Sequence, residues 1–496
     1  MIRIRTTRRF ACLAGALVAL SAASPAALAH RPPPPSDSGG STQAQTPIHT
    51  IATRGERGAP PPVPARRASP IRHVVVVYLE NHSFDNVLGF WCDANPGRCP
   101  QGGMPASVTL SNGAVISPSV AHDTVPEVKH TVASQVAAID GGKMDGWQNI
   151  PDGSCAAATG YKCVSGYQPA QLPNLISLAQ QFAISDNTFS LNDSESWASH
   201  IAIVSSSQDH FYGDNPPSPF PPASGWGCDS HRVARWGTPP KMVPACVPDH
   251  SLNPVRYPNG GAFKSTPVRY IPTIMDRLQA AGLSWRIYGA PKGAKGYGIW
   301  DICPTFAECL DTSQDANLVP DAQFPIDARD GTLPAFSVVT PGGPDFRNAC
   351  HNGMSMAACD NWAGQLAAAV MNGPDWSSTA VYITFDDCGC FYDQVPPPLD
   401  PAGAREGPRI PLFVVSPYAR PGYTDTTATT FAGILAYTER TFGLSPLGAN
   451  DAAAYSFSNA FNYAQVPRQP VSLVHQPLPA SAKRIDLTRA LENDPT

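Results

Sequence analysis

Two apolar runs in this 496-residue chain end in acidic residues. VVVVYL, from Val74 to Leu79, leads straight into Glu80-Asn81, and AVYITF, from Ala380 to Phe385, leads into Asp386-Asp387. Three carboxylates and one amide oxygen form a hard-oxygen set suited to one divalent cation, and such a cluster repels itself without one. The other reading is separate turn and cap chemistry, since Asn and Asp favour turns and helix N-caps after strands. A second concentration of reactive groups is the serine-rich segment holding Ser190, Ser194, Ser196 and Ser199. A serine hydroxyl attacks well only when a base or a cation activates it, and otherwise caps helices and turns.

The elements that must position these groups read as an α/β sheet with helices on both faces. Val74 to Leu79 is the clearest strand, and further strands are expected at 182–185, 283–288, 335–340, 380–385 and 412–416. Several are near-continuous apolar runs, as strands covered on both faces require. In open parallel sheets the carboxyl ends of strands are where ligands bind, which is where both acidic pairs fall. Helical spacing joins Leu172, Leu175, Ile176 and Ala179, and also Trp362, Leu366 and Val370 before Gly373. Ile274, Met275, Leu278 and Ala281 repeat the pattern before Gly282. Pro- and Gly-rich stretches near 213–272 and 290–332 read as long insertions that would form substrate-facing loops or a small cap.

The chain begins with Arg3, Arg5, Arg8 and Arg9, a small-residue apolar stretch from Phe10 to Ala23, and Ala27-Leu28-Ala29. This has the form of a signal peptide over 1–29 and predicts a secreted or periplasmic protein with no stable membrane anchor once the leader is cleaved. Residues 30–70 are rich in Pro, Ser, Gly and Arg and read as a disordered linker, leaving 71–496 as the folded domain. The chain holds 13 cysteines, and removing Cys12 with the leader leaves an even number, which suits an oxidising compartment. They cluster as 92/99, 155/163, 228/246, 303/309, 350/359 and 388/390. Short separations favour local pairing of the first five, whereas a bridge across the one residue between Cys388 and Cys390 would be strained. A formal net charge of -5 supplies no basic excess, so no nucleic-acid partner is expected and any phosphate binding is local.

The segment IRHVVVVYLENHSFDNVLG resembles the opening signature of the bacterial phosphoesterase family of phospholipases C and acid phosphatases. Further segments similar to that family follow in order: HTVASQVAAIDGGKMDGW, LPNLISLAQQFAISDNTF, PDWSSTAVYITFDDCGCFYDQVPPP, GPRIPLFVVSPYARPGY and ILAYTERTFGL. Several ordered motifs are more specific than any one alone. The resemblance implies an α/β/α sandwich of the alkaline-phosphatase-like kind and one divalent metal cation held by Glu80, Asn81, Asp386 and Asp387. It places Ser196 at the family's nucleophile position. It also puts His130 and His351 where family histidines are found, with the acid and cation work of phosphoryl transfer to do.

The implied activity is a phospholipase C-like phosphodiesterase acting on a phosphate-ester substrate, with phospholipid among the candidates. A phosphomonoesterase of the acid phosphatase type would use the same groups. The chain also departs from the pattern. His82 stands where Arg is common, Gln394 where His is usual, Cys390 where Gly is usual, and Ala198 and Ser199 where Pro and Asn are expected. Because Gln cannot serve as a general acid, a non-catalytic secreted binding protein on the same scaffold is the reading from a different class. Mass spectrometry of the exported protein is expected to find a mature N-terminus near His30, and a retained leader would contradict the signal-peptide reading.

Overall fold

The computed structural model describes residues 69–217, 225–249 and 267–485, apart from 295, 343–345 and 401. The leader expected over 1–29 lies outside these residues, as does the linker expected over 30–70 but for Ser69 and Pro70. An eight-stranded sheet forms the centre of the described chain. Its strands, numbered along the sequence, are β1 (His73–Leu79), β2 (Ala183–Ser185), β3 (Trp285–Gly289), β4 (Leu318–Pro320), β5 (Phe336–Val339), β6 (Thr379–Phe385), β7 (Leu412–Val415) and β8 (Tyr423–Asp425). They lie in the order β4-β3-β5-β1-β6-β7-β2-β8. All pairings are parallel except those of β7, which runs antiparallel to both β6 and β2.

The six expected strands are all present. The two additional ones, β4 and β8, are three-residue edge strands too short to show a period of their own. Every residue from Val74 to Leu79 and from Thr379 to Phe385 is buried, so β1 and β6 are covered on both faces. At roughly 1.5–3 kcal/mol for each fully buried large aliphatic side chain, these two runs supply much of what holds the sheet in register. The register matters for chemistry. Leu79 pairs with Phe385, so Glu80 and Asp386 leave the sheet side by side on neighbouring parallel strands.

The longer helices are α1 (Phe84–Ala94), α2 (Val132–Ile139), α3 (Pro173–Gln181), α4 (Ser196–Ser205), α5 (Ile274–Ala280), α6 (Phe324–Asp330), α7 (Met356–Asn372) and α8 (Ala432–Phe442). Several of these starts have a local cause in a cap or a proline. Ser83, Thr131, Thr273 and Ser355 accept backbone N–H bonds as N-caps of α1, α2, α5 and α7, and Pro173 occupies the first turn of α3. Helices α3, α6 and α7 pack together, with α7 against β6 and α3 against β7, while α4 packs with α5 and α8. Tyr78 ties β1 to α4 through its hydroxyl, which donates to the Ser199 carbonyl at 3.2 Å. Of the described part of 213–272, an antiparallel hairpin joins 233–236 to 241–244, and residues 318–330 add the edge strand β4 and helix α6.

Five disulfides close short loops: Cys92–Cys99, Cys155–Cys163, Cys228–Cys246, Cys303–Cys309 and Cys350–Cys359. Cys388 and Cys390 are buried free thiols. Peptide mapping without reductant is expected to recover these five local links. A thiol reagent should label Cys388 and Cys390 only after denaturation, and labelling in the native state would show that the loop after β6 is open.

Candidate active site

The chain turns abruptly where β1 and β6 end. Asn81 takes a left-handed backbone conformation with φ of 58°, which lets Glu80 and Asn81 both face the end of the neighbouring strand. The Asn81 N–H donates to Asp386 Oδ1 at 2.8 Å, and the Asp387 N–H donates to the same oxygen at 2.8 Å. Beyond Asp387, Gly389 has φ of +55°, and a Cβ there would lie 2.2 Å from the Asn81 carbonyl oxygen. This glycine is required because the two loops touch backbone to backbone.

Ser196 is the first residue of α4, and its hydroxyl donates to Glu80 Oε2 at 2.9 Å and lies 3.3 Å from the end of the Asn81 carboxamide. Ser194 and Ser199 bond to each other at 2.7 Å through their hydroxyls. Of these three serines, it is Ser196 that meets the carboxylates. A helix N-terminus beside it directs backbone N–H groups and positive dipole toward any anion brought to the hydroxyl.

His130 and His351 converge on the other end of the Asn81 carboxamide, with Nε2 atoms 3.2 and 3.0 Å away. Their Nδ1 atoms face carbonyls, that of Val128 for His130 at 3.0 Å and that of Asn352 for His351 at 3.1 Å. A ring whose Nδ1–H donates to a carbonyl presents a lone pair at Nε2 when neutral. Asn81 then has two orientations with different meanings. With its nitrogen toward Asp386 it donates there, at 3.0 and 3.2 Å to the two oxygens, and needs protonated histidines on its oxygen. With its oxygen toward Asp386 it donates to the neutral histidines, and the carboxamide oxygen then faces the Asp386 carboxylate as a second acceptor.

The sequence reading missed His200. It lies one turn after Ser196 on α4, and its Nε2 is 3.0 Å from Glu80 Oε1 while its Nδ1 is 2.7 Å from the Trp300 carbonyl. The available signal was the i, i+4 spacing from Ser196, which becomes a shared face only if 196–200 is helical, whereas the segment reads as a serine-rich loop. Glu80, His200 and Asp386 offer ligand atoms within 4.8 Å of one another, all buried. Burial first, and the Asp386 charge second, push the Glu80 carboxyl well above the usual range, and the same two causes raise Asp387. Burial pulls His200 down to about 4. Among the described residues, His200 is the one basic side chain paired with Glu80, and no salt bridge reaches Asp386 or Asp387.

Two departures from the family pattern have structural positions. His82 is buried, with Nδ1 2.7 Å from Asn86 Oδ1 and Nε2 3.0 Å from the Cys350 carbonyl, so it links α1 to the loop that carries His351. Gln394 is turned to the Gly103 carbonyl, to which its side chain donates. Lys143 is exposed and pairs with Asp140 at 2.9 Å, as a solvated surface charge does.

Other residues of the same motifs hold the loops in place. Arg409 is fully buried, with Nε 3.0 Å from Asp393 Oδ1, Nη2 2.7 Å from Asp85 Oδ1, and Nη1 donating to the Asp186 carbonyl at 3.0 Å. Its guanidinium also lies 4.2 Å from the centre of the Phe84 ring. One cation thus joins the start of α1, the segment after β6 and the entry to β7.

This combination belongs to a recognisable class. Residues 71–445 match the model of the Phosphoesterase family, and the chain belongs to that family, whose members are hydrolases of phosphoric ester bonds. Non-specific phospholipase C1 of Arabidopsis thaliana is 24% identical over 453 residues, covering 82% of this chain and 74% of that protein. Non-hemolytic phospholipase C of Pseudomonas aeruginosa is 23% identical over 81% of this chain and 58% of its own length. A crystal structure of a protein in the alkaline phosphatase superfamily from Vibrio parahaemolyticus aligns with 57% of this chain and 64% of its own at 13% identity and a TM-score of 0.30. So loose a superposition says nothing about chemistry.

Arg409 sets a clear expectation. Burial first, and the Asp393 charge second, push Asp85 up to about 8 against the pull of Arg409. Replacing Arg409 by methionine leaves two buried carboxyls facing each other, and denaturant unfolding is expected to show a loss of about 3–5 kcal/mol. Adding Asp85→Asn and Asp393→Asn should restore part of that loss, and an unchanged midpoint in Arg409→Met would remove the guanidinium from its place as the clamp.

Proposed function

We propose that this chain hydrolyses phosphate esters through Ser196 with one divalent cation held by Glu80, Asn81, Asp386 and Asp387, and that phospholipid-type diesters are its preferred substrates. The observation that carries the reading is the Ser196 hydroxyl, buried at the N-terminus of α4 and 2.9 Å from Glu80 Oε2. The donor set fits a divalent cation. With the Asn81 oxygen turned to Asp386, the oxygens of Glu80, Asn81 and Asp386 meet beside Ser196, and Asp387 follows directly in the chain with its Oδ1 accepting the Gly389 N–H. Buried carboxylates are retained when they are paired or coordinate a metal. When bound, such a cation neutralises phosphoryl oxygens and favours the ionised serine hydroxyl.

The chain's own groups account for the proton movements. Ser196 gives its proton to Glu80 Oε2, and its Oγ bonds to phosphorus as the bond from phosphorus to the leaving alkoxide breaks. The alkoxide takes a proton from the Nε2 of His130 or His351 once that ring is protonated and has turned from the Asn81 NH2 group. Water gives a proton back to that Nε2 as its oxygen bonds to phosphorus and the phosphoseryl bond breaks, and Ser196 recovers its proton from Glu80. The N-terminus of α4 orients the phosphoryl group. The resemblance to proteins named phospholipase C supports a diester substrate. Five disulfides and a leader-like N-terminus suit an exported enzyme, and among the described residues no helix is long and apolar enough to cross a membrane.

Ser196→Ala is expected to lower kcat on the order of 10³-fold or more while leaving folding and metal content intact. Ser194→Ala and Ser199→Ala are the controls, and full activity in Ser196→Ala would move the nucleophile elsewhere. EDTA should abolish turnover, and Asp386→Ala should lower both metal content and rate. Bis-p-nitrophenyl phosphate should be turned over faster than p-nitrophenyl phosphate. The reverse order would make the enzyme a monoesterase, and failure on every phosphate ester would leave a binding protein.

A further inference from the structure

We infer that His200 is a nitrogen ligand of the same cation, so that the site is a mixed nitrogen and oxygen one that selects a zinc-class transition metal over calcium or magnesium. This rests on the metal reading above. Its grounds are the position of the imidazole and the partners of its two nitrogens.

Nδ1 lies 2.7 Å from the Trp300 carbonyl oxygen, which can only accept, so Nδ1 carries a hydrogen. In the neutral ring the remaining nitrogen, Nε2, is then an acceptor, and it faces Glu80 Oε1 at 3.0 Å. Two such atoms at that separation are held together by a shared proton or by a cation beside them, and a bound cation takes the place of that proton. Ligand atoms held at about 2.0–2.2 Å from one ion, as for zinc with imidazole and carboxylate, stand roughly 3 Å apart when adjacent in its coordination shell. Asp386 completes a group whose ligand atoms all lie within 4.8 Å of one another.

The helix makes the arrangement possible. Ser196 and His200 are one turn apart on α4 and reach the two oxygens of the same carboxylate, Oε2 from Ser196 and Oε1 from His200. The nucleophile's register and the imidazole's position are therefore set by one rigid element. The carbonyl that fixes the tautomer is itself held. Trp300 has a left-handed φ of 49°, and Asp301 next to it accepts the N–H groups of Ala290 and Gly298, both at 2.8 Å. A metal-binding histidine whose other nitrogen donates to a backbone carbonyl is the usual way such a ligand is oriented. Imidazole suits zinc and its neighbours in the first transition row, whereas calcium and magnesium prefer oxygen alone.

The test is X-ray absorption at the zinc edge on the full chain loaded with zinc, together with competition between zinc and calcium. One imidazole is expected in the first shell. It should disappear in His200→Gln and persist in His130→Gln and in His351→Gln. Zinc affinity should fall at least about tenfold in His200→Gln, with calcium affinity unchanged or raised. A wild-type protein that binds zinc without imidazole scattering, or a signal that survives in His200→Gln, overturns this inference and leaves the metal-dependent reading standing. A wild-type protein that takes up none of these cations overturns both. Should His200→Gln fail to fold, the other two variants still decide the matter, because loss of the imidazole signal in either one assigns it away from His200.

Discussion

Glu80, Asp386 and Asp387 are fully buried at the ends of two neighbouring parallel strands, and most of the surrounding structure exists to make that tolerable. Charges taken out of water must be neutralised, paired or bound to a cation. Here the partners are few: backbone N–H groups of Asn81, Asp387 and Gly389, the Ser196 hydroxyl, and the His200 imidazole beside Glu80. The sheet sets the positions of Glu80 and Asp386 through the Leu79 and Phe385 register. The left-handed turn at Asn81 and the close approach of Gly389 hold the two loops together.

A second buried charge group solves the mechanical side of the problem. Asp85 lies five residues after Glu80, Asp393 six after Asp387, and Arg409 three before β7. Joining them ties the segments leaving β1 and β6 to the strand beside them. The carboxylates at the strand ends and the structural ion cluster are thus neighbours in sequence with different charge balance. The first group is short of positive charge among the described residues, and the second contains its cation. This difference separates the two groups better than burial does, since both are fully buried.

Two departures from the family pattern, His82 and Gln394, fall into the scaffold. His82 spans from Asn86 to the Cys350 carbonyl and stacks on Phe391 with ring centres 5.2 Å apart, so it braces the loop that carries His351. Gln394 closes onto Gly103. The loss of a histidine at position 394 therefore leaves two other imidazoles, His130 and His351, next to Asn81 and a third, His200, next to Glu80.

The sequence by itself determined the sheet's principal strands, because long β-branched apolar runs have one stable home, a strand covered on both faces. It favoured, without fixing, the five local disulfides, since cysteines close in sequence meet readily. It also determined that Glu80, Asn81, Asp386 and Asp387 leave their strands at the same end, which follows from parallel pairing of two runs that each stop at an acidic residue. Among Ser194, Ser196 and Ser199, alike in type, the family resemblance pointed to Ser196, and the fold then shows its hydroxyl on Glu80 while the other two bond to each other. Only the tertiary structure decided the place of His200, which is joined to Glu80 across 120 residues of chain and to Trp300 across 100, distances over which no local pattern carries information. The edge strands β4 and β8 were likewise invisible, since three residues have too little periodicity to outweigh their loops and gain their strand form from the neighbours they pair with.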